Sequence, residues 1–396
     1  MQSTPNSNRI HIALFGRTNT GKSSLLNRIT GQEVSLVSSQ SGTTTDAVKK
    51  PMELPGLGAC LWTDTAGFLD GSSLGREREA ISVKILESTD IALLLCREGD
   101  FSWEREWVQR CKKKNIPVIA LVAQADLLRE EELQALTAKI QEELGLKAIP
   151  VSAKEEGLLD RILPALQQAG KAVEKEPSIC GHLVKKRDQV LLVMPQDIQA
   201  PKGRLILPQV QTLRDLLDLG CLVHCCTFDQ YEAALAGLKN PPDLIITDSQ
   251  VFPQVYQKKP RASRLTSFSV LFSRLKGDAE IFRQGALAFD HLKEGDRILI
   301  AEACAHQALH EDIGRVKLPA LIQKTIPKRL DISFCNGNDF PEDLKDYALV
   351  IHCGACMFNR KQVLSRLQAL GEAGVPVTNY GIAIAKLTGI LEKIDF

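Results

Sequence analysis

The stretch GRTNTGKS, residues 16–23, constrains this chain more than any other. It satisfies the spacing G-x-x-x-x-G-K-[ST], follows the apolar run IHIALF and opens the periodic SSLLNRITG. A glycine-rich turn between a strand and a helix gathers backbone N–H groups and the positive end of a helix dipole around one point, which is a phosphate site. Gly16 and Gly21 shape the loop. Lys22 is expected to reach the β- and γ-phosphates and Ser23 to ligate Mg2+, with Ser24 in the same binding turn.

The hydrophobic pattern agrees. Over residues 9–170, the strand-like runs IHIALFG, ACLWTDTAG, IALLLC, IPVIALVAQAD and KAIPVSA alternate with amphipathic helical stretches. That alternation argues a parallel sheet flanked by helices. KAVEKEPS (171–178) reads as a linker. The pattern repeats on a smaller scale in QVLLVMP, CLVHCCT and DLIITD, with no chemically loaded residue, and QKKPRAS (257–263) reads as a second boundary. Beyond it, RLTSFSVLFSRLKGD reads as a helix, and DRILIAEAC, ALVIHCGAC and the start of PVTNYGIAIA as strands. Three domains are expected, at 1–172, 179–260 and 264–396, the middle one a structural or dimerising module. No internal sequence repeat is visible.

Composition narrows the function classes. A net charge of +1 over 396 residues gives no electrostatic case for nucleic acid or an anionic membrane. MQSTPNSNRI lacks an apolar signal region and the apolar runs are strand length, so a cytoplasmic protein is expected. Eleven cysteines in that compartment are thiols or metal ligands, not disulfides. Cys60, Cys96, Cys111, Cys180, Cys221 and Cys335 show no ligand spacing and read as packing; Cys225 and Cys226 read as a buried strand.

Three further motifs follow the loop: GTTTD (42–46), where Thr44 would meet the metal; DTAG (64–67), with Asp64 holding Mg2+ through water and Gly67 meeting the γ-phosphate; and VSAK (151–154). In order and interval these resemble the translation-factor-like P-loop GTPases, which implies GTP. The fold class expected is α/β: a P-loop GTPase domain with a parallel sheet, followed by two smaller α/β domains. Two departures matter. The guanine-reading N-K-x-D is AQAD here, leaving Asp126 to accept from guanine N1 and N2, with Ser152, Ala153 and Lys154 offering a backbone N–H to O6. The residue after DTAG is Phe68, which cannot orient water. In this the chain is similar to the tRNA-modifying GTPases. That similarity implies K+ on Asn19 and water oriented through Asp70, hence slow, K+-stimulated hydrolysis by a set comprising Lys22, Thr44, Asp64, Gly67 and Asp70.

The second cluster is EACAH and, with 45 residues between His306 and His352, HCGAC: Cys304, His306, His352, Cys353 and Cys356. The two segments converge if their strands are neighbours. Zn2+ on three Cys and one His fits this spacing, and so does a [4Fe–4S] cluster on three cysteines. Spacing alone leaves both open, beside a reading of the cysteines as redox sensors.

GRTNTGKSSLLN, DTAGFLDGSSLGRER, DIQAPKGRLILPQVQTLRD, TSFSVLFSRLKGD, EACAH, HEDIGRVKLP, HCGACMFNR and PVTNYGIAIA together resemble HydF, the [FeFe]-hydrogenase maturation GTPase family, over nearly the whole chain. The resemblance implies a homodimer through the middle block and a [4Fe–4S] cluster on Cys304, Cys353 and Cys356, with His306 or His352 as a fourth ligand. It also implies that a diiron subcluster is carried as cargo from radical-enzyme maturases to apo-[FeFe]-hydrogenase. The competing reading is a GTPase with a structural zinc site acting in RNA or ribosome metabolism.

Overall fold

The computed structural model describes residues 4–31, 48–65, 73–97, 99–173, 176–195, 205–303, 312–337 and 339–396, with 73–78 as backbone. The chain forms two compact units, Met1–Lys175 and Glu176–Phe396.

The first unit holds β1 (Ile10–Gly16), α1 (Lys22–Thr30), β2 (Lys49–Leu54), β3 (Gly58–Asp64), α2 (Ser73–Glu87), β4 (Ile91–Cys96), α3 (Ser102–Lys113), β5 (Val118–Val122), α4 (Glu130–Leu144), β6 (Ala148–Pro150) and α5 (Leu158–Ala172). Its six strands lie in the order β2-β3-β1-β4-β5-β6, parallel except for the β2–β3 pair. All six residues of β4 are buried, as a central strand covered on both faces requires. Pro51, which has no N–H to give a ladder, sits on the edge strand β2. Leu158, Ile162 and Leu166 recur every fourth residue of α5 and are buried with Leu14, Leu93 and Leu121 of the sheet. The alternation in the sequence produced this architecture as expected.

The second unit holds β7 (Gln189–Val193), α6 (Leu207–Asp218), β8 (Leu222–Cys226), α7 (Tyr231–Gly237), β9 (Leu244–Thr247), α8 (Phe252–Lys258), β10 (Arg264–Ser267), α9 (Phe268–Lys276) and α10 (Ala279–Ala286). It continues with β11 (Arg297–Glu302), α11 (Leu318–Thr325), β12 (Asp331–Asn336), β13 (Leu349–His352), α12 (Arg360–Ala373), β14 (Val377–Asn379) and α13 (Tyr380–Leu387). It contains two four-stranded parallel sheets, β8-β7-β9-β10 and β12-β11-β13-β14. Both have the same topology: the first and third strands are central, the second and fourth at the edges. One apolar cluster, including Leu191, Ile245, Val270, Leu299, Val350 and Ile382, runs through both sheets.

Two expectations are corrected here. Arg264–Ser267, read as the start of a helix in the third block, is a strand paired with β9. The helix begins only at Phe268, because Ser267 caps it, its hydroxyl accepting from Val270 N at 3.3 Å. Residues 257–263 therefore connect two strands of one sheet. Secondly, β8 is a strand, but at a sheet edge: Cys225 is exposed, Cys226 half-buried and Leu222 exposed. Among the described residues no helix is long and apolar enough to cross a membrane.

Candidate functional site

The nucleotide loop is built by close packing. At Gly16 a Cβ would stand 3.0 Å from both Leu95 Cβ and Thr20 Oγ1, so a side chain here would crowd both neighbours. Asn19 (φ 62°) and Gly21 (φ 88°) both adopt the left-handed conformation, which turns the chain back over the start of α1. Lys22 is buried and lies across the loop, Nζ donating to the carbonyls of Gly16 and Arg17 at 2.8 Å each. Burial pushes its ammonium down to about 8 against the pull of Asp64. Ser23 Oγ donates to Asp64 Oδ2 at 2.5 Å. The other oxygen, Asp64 Oδ1, is buried without a hydrogen-bond partner among the described residues. Burial raises this carboxyl, opposed by Ser23, Lys22 and Lys50. A hydroxyl and a carboxylate in contact, one oxygen unsatisfied, suit a hard divalent cation.

The base-reading elements also converge. Lys154 Nζ lies 2.9 Å from Asp126 Oδ2, and Lys154 N donates to Ser152 Oγ at 3.1 Å, so β5 and β6 deliver Asp126, Ser152, Ala153 and Lys154 to one place. Lys154, then Ser152, holds the Asp126 carboxyl below the usual range. Ala123 is buried in the core. Gln124 adopts φ 56° and donates from Nε2 to Asn19 O at 3.3 Å, a tie to the phosphate loop that the sequence reading missed. It also missed the fork of Arg17 onto buried Glu104, at 2.8 and 2.9 Å, which anchors the loop to α3. Ser24 is exposed in the first turn of α1. Thr44, Gly67 and Asp70 lie outside the described residues.

The cysteine site lies at the C-terminal ends of β11 and β13, the two central strands of the third sheet. These are neighbours, with Ala301 against His352, as convergence required. The connections reverse direction between them, which is where open α/β sheets place ligands. Cys353 N donates to Ala301 O, and Cys353 Sγ accepts from Ala303 N at 3.1 Å and Ala355 N at 3.4 Å. Ala355 stands at φ 53°, folding the loop back on the sulfur, and a Cβ at Gly354 would meet open space. Burial pushes the Cys356 thiol up, opposed by backbone N–H groups of the loop and by Lys276. Arg360 Nη1 donates to the carbonyls of Arg274, Leu275 and Gly277 at 2.8–2.9 Å, docking the loop on the C-terminal end of α9. Half-buried thiols that accept N–H bonds suit a thiolate-held metal group. Cys304 and His306 lie outside the described residues, and the described ones alone bring no three metal-ligating side chains together.

His352 is engaged on both ring nitrogens. It is buried, Nδ1 lying 2.9 Å from Cys353 O and Nε2 3.0 Å from Arg366 Nη1. Burial and the Arg366 charge push it down to about 3. A polar cluster unseen in the sequence lies beside the cysteines. Buried Glu302 accepts from Arg315 Nε at 2.9 Å and from Tyr380 Oη at 3.4 Å, and Arg315 also donates to Asn336 Oδ1 at 2.7 Å. Burial, then the charges of Cys353 and Glu302, push the Tyr380 hydroxyl far up.

A glycine-rich loop between the first strand of a mainly parallel sheet and its helix, with Ser23 against Asp64 and Asp126 against Lys154, defines a P-loop GTPase. The sequence model of 50S ribosome-binding GTPases matches residues 11–124. Those of the hydrogen maturase F dimerization and tetramerization domains match residues 179–277 and 280–394. The chain belongs to the HydF hydrogen maturase family. The first of these two domains runs past the boundary read at residues 257–263, and the exposed edge strand β8 falls within it. The tRNA modification GTPase MnmE of Bacteroides thetaiotaomicron is 32% identical over 174 residues, 41% of this chain and 36% of that protein. GTPase Era of Caldicellulosiruptor saccharolyticus is 25% identical over 233 residues, 54% of this chain and 76% of that protein. The FeoB G-domain structure from Methanococcus jannaschii matches at 22% identity and TM-score 0.30, over 41% of this chain and 98% of that one. The chain thus spans about a third of the first relative's length.

Proposed function

We propose that this chain is a GTP-hydrolysing scaffold that binds a [4Fe–4S] cluster on Cys304, Cys353 and Cys356. It carries the diiron subcluster of the H-cluster from radical-enzyme maturases to apo-[FeFe]-hydrogenase and works as a homodimer or higher oligomer. One observation supports this above the rest. In a chain with hydrogen maturase domains, the two central strands of the third sheet end side by side at a thiol that accepts two backbone N–H bonds. When bound on three thiolates, such a cluster leaves one iron open to an exchangeable ligand, which suits a carrier. His352 is already committed, so His306 or an exogenous group is left for that iron. Anaerobically loaded chain should activate apo-hydrogenase, and the Cys353→Ala chain treated alike should not; equal activation by both would refute the carrier role.

In the first unit, Lys22 and the loop amides hold the phosphates, Ser23, Thr44 and Asp64 the Mg2+, and Asp126 the guanine. Asn19, already in the left-handed turn, is proposed to hold K+. Phosphate release should therefore run faster in K+ than in Na+, and Asn19→Ala should remove the difference. Equal wild-type rates in the two salts would exclude the K+ role.

With Ala123 and Gln124 replacing the usual Asn and Lys, base selectivity rests on Asp126. GTP should displace a fluorescent guanine nucleotide well before ATP does. Asp126→Ala should weaken GTP binding through the loss of a charged hydrogen bond to the base. ATP competing as well as GTP would contradict guanine recognition.

A further inference from the structure

We infer that Arg366 is a positioning residue for the cysteine loop: through His352 it pins the backbone at Cys353 and keeps the imidazole out of the ligand set. The inference rests on the reading of Cys353 and Cys356 as cluster ligands. His352 ends β13, in register with Ala301 and Asn379 of the neighbouring strands. Its Nδ1 lies 2.9 Å from the Cys353 carbonyl, which can only accept, so Nδ1 carries the proton. Its Nε2 lies 3.0 Å from a guanidinium nitrogen of Arg366, which can only donate, so Nε2 supplies its lone pair there. The tautomer is fixed from both sides and no lone pair is left for a metal.

The guanidinium is itself held. Arg366 projects from α12 between two rings, 4.5 Å from the centroid of Phe340 and 4.6 Å from that of Phe358, and donates to the Gly337 carbonyl. A planar cation fits a slot between rings; the tetrahedral ammonium of lysine does not reproduce it. Phe358 follows Cys356 by two residues. One buried cation therefore grips the loop at both ends, at Cys353 through His352 and beyond Cys356 through Phe358.

The test uses the full-length chain, reconstituted anaerobically with iron and sulfide, as wild type, R366M, R366K, H352N and the R366M/H352N double variant. Iron release to a chelator should be roughly tenfold faster in R366M and R366K, the scale of losses when a ligand's supporting hydrogen bond is removed. The double variant should release iron no faster than R366M, since both changes break one chain of bonds. Pulsed EPR of reduced H352N should keep the wild-type nitrogen coupling. If R366M does not fold, R366K carries the comparison. Wild-type retention by R366K would overturn the inference, and so would loss of a nitrogen coupling in H352N. Independently of any metal, 15N spectra of histidine-labelled apo protein, assigned with H352N, should show the Nδ1–H tautomer; the Nε2–H tautomer would overturn it. Absence of iron from the wild type, with the Nδ1–H tautomer present, would fault the cluster reading and leave the Arg366–His352 contact standing.

Discussion

Replacing Cys353 with alanine removes the cluster: iron after anaerobic reconstitution should fall from about four atoms per chain to well under one. Cys304→Ala and Cys356→Ala should do the same, because a cluster that already leaves one iron open has no thiolate to spare. The change at Cys353 also carries a cost to the protein itself. Its Sγ takes the N–H groups of Ala303 and Ala355, and alanine strands both donors at a half-buried position, at about 1–3 kcal/mol for each fully buried one. Circular dichroism and thermal melting of the apo variants separate this from loss of fold. Cys335→Ala is the control: that thiol is buried on β12 without ligand spacing and should keep the full iron content. Full iron in the Cys353→Ala chain would exclude this thiol as a ligand.

GTP hydrolysis should drop on the order of a hundredfold or more in Lys22→Ala, the loss seen when a charge-stabilising donor leaves a phosphoryl or acyl transfer site. The buried ammonium lies across the loop and donates to the carbonyls of Gly16 and Arg17. Asp64→Asn tests the metal half of the site. The amide can still meet Ser23 Oγ, but the charge that balances Mg2+ is gone, so hydrolysis should fall as far without loss of the loop's shape. Iron content should stay unchanged in both, since the cysteines sit in the other compact unit. Phosphate release under saturating GTP and Mg2+ reads the result. A Lys22→Ala chain hydrolysing at the wild-type rate would show that this loop is not the catalytic one.

Some features were legible in the sequence because they are local. The phosphate loop is eight consecutive residues between a strand and a helix, with left-handed turns at Asn19 and Gly21. β4, β9, β11 and β13 are apolar runs between turn residues and needed no tertiary information. The strand–helix junction at Ser267 was lost because Arg264–Ser267 is four residues long and runs straight into an apolar helix, so no change of period marks it. The burial expected of β8 failed because an isolated apolar strand does not reveal whether it lies at an edge. Contacts that hold the sites were invisible for a different reason. Arg17 and Glu104 are 87 residues apart, and Arg315 reaches Glu302 and Asn336 across two strands. Such pairs exist only once the sheet order is known. The repeated topology of the second unit left no trace in residue identity, since it is carried by strand order alone.

The central claim is that the C-x-H…H-C-x-x-C site holds an iron–sulfur cluster in a GTPase. The most direct test is anaerobic purification of the full chain, reconstitution with iron and sulfide, and metal and sulfide analysis with EPR of the dithionite-reduced sample. About four irons and four sulfides per chain with a reduced-cluster signal is the result expected. Stoichiometric zinc that persists through reconstitution, with no such signal, would contradict it.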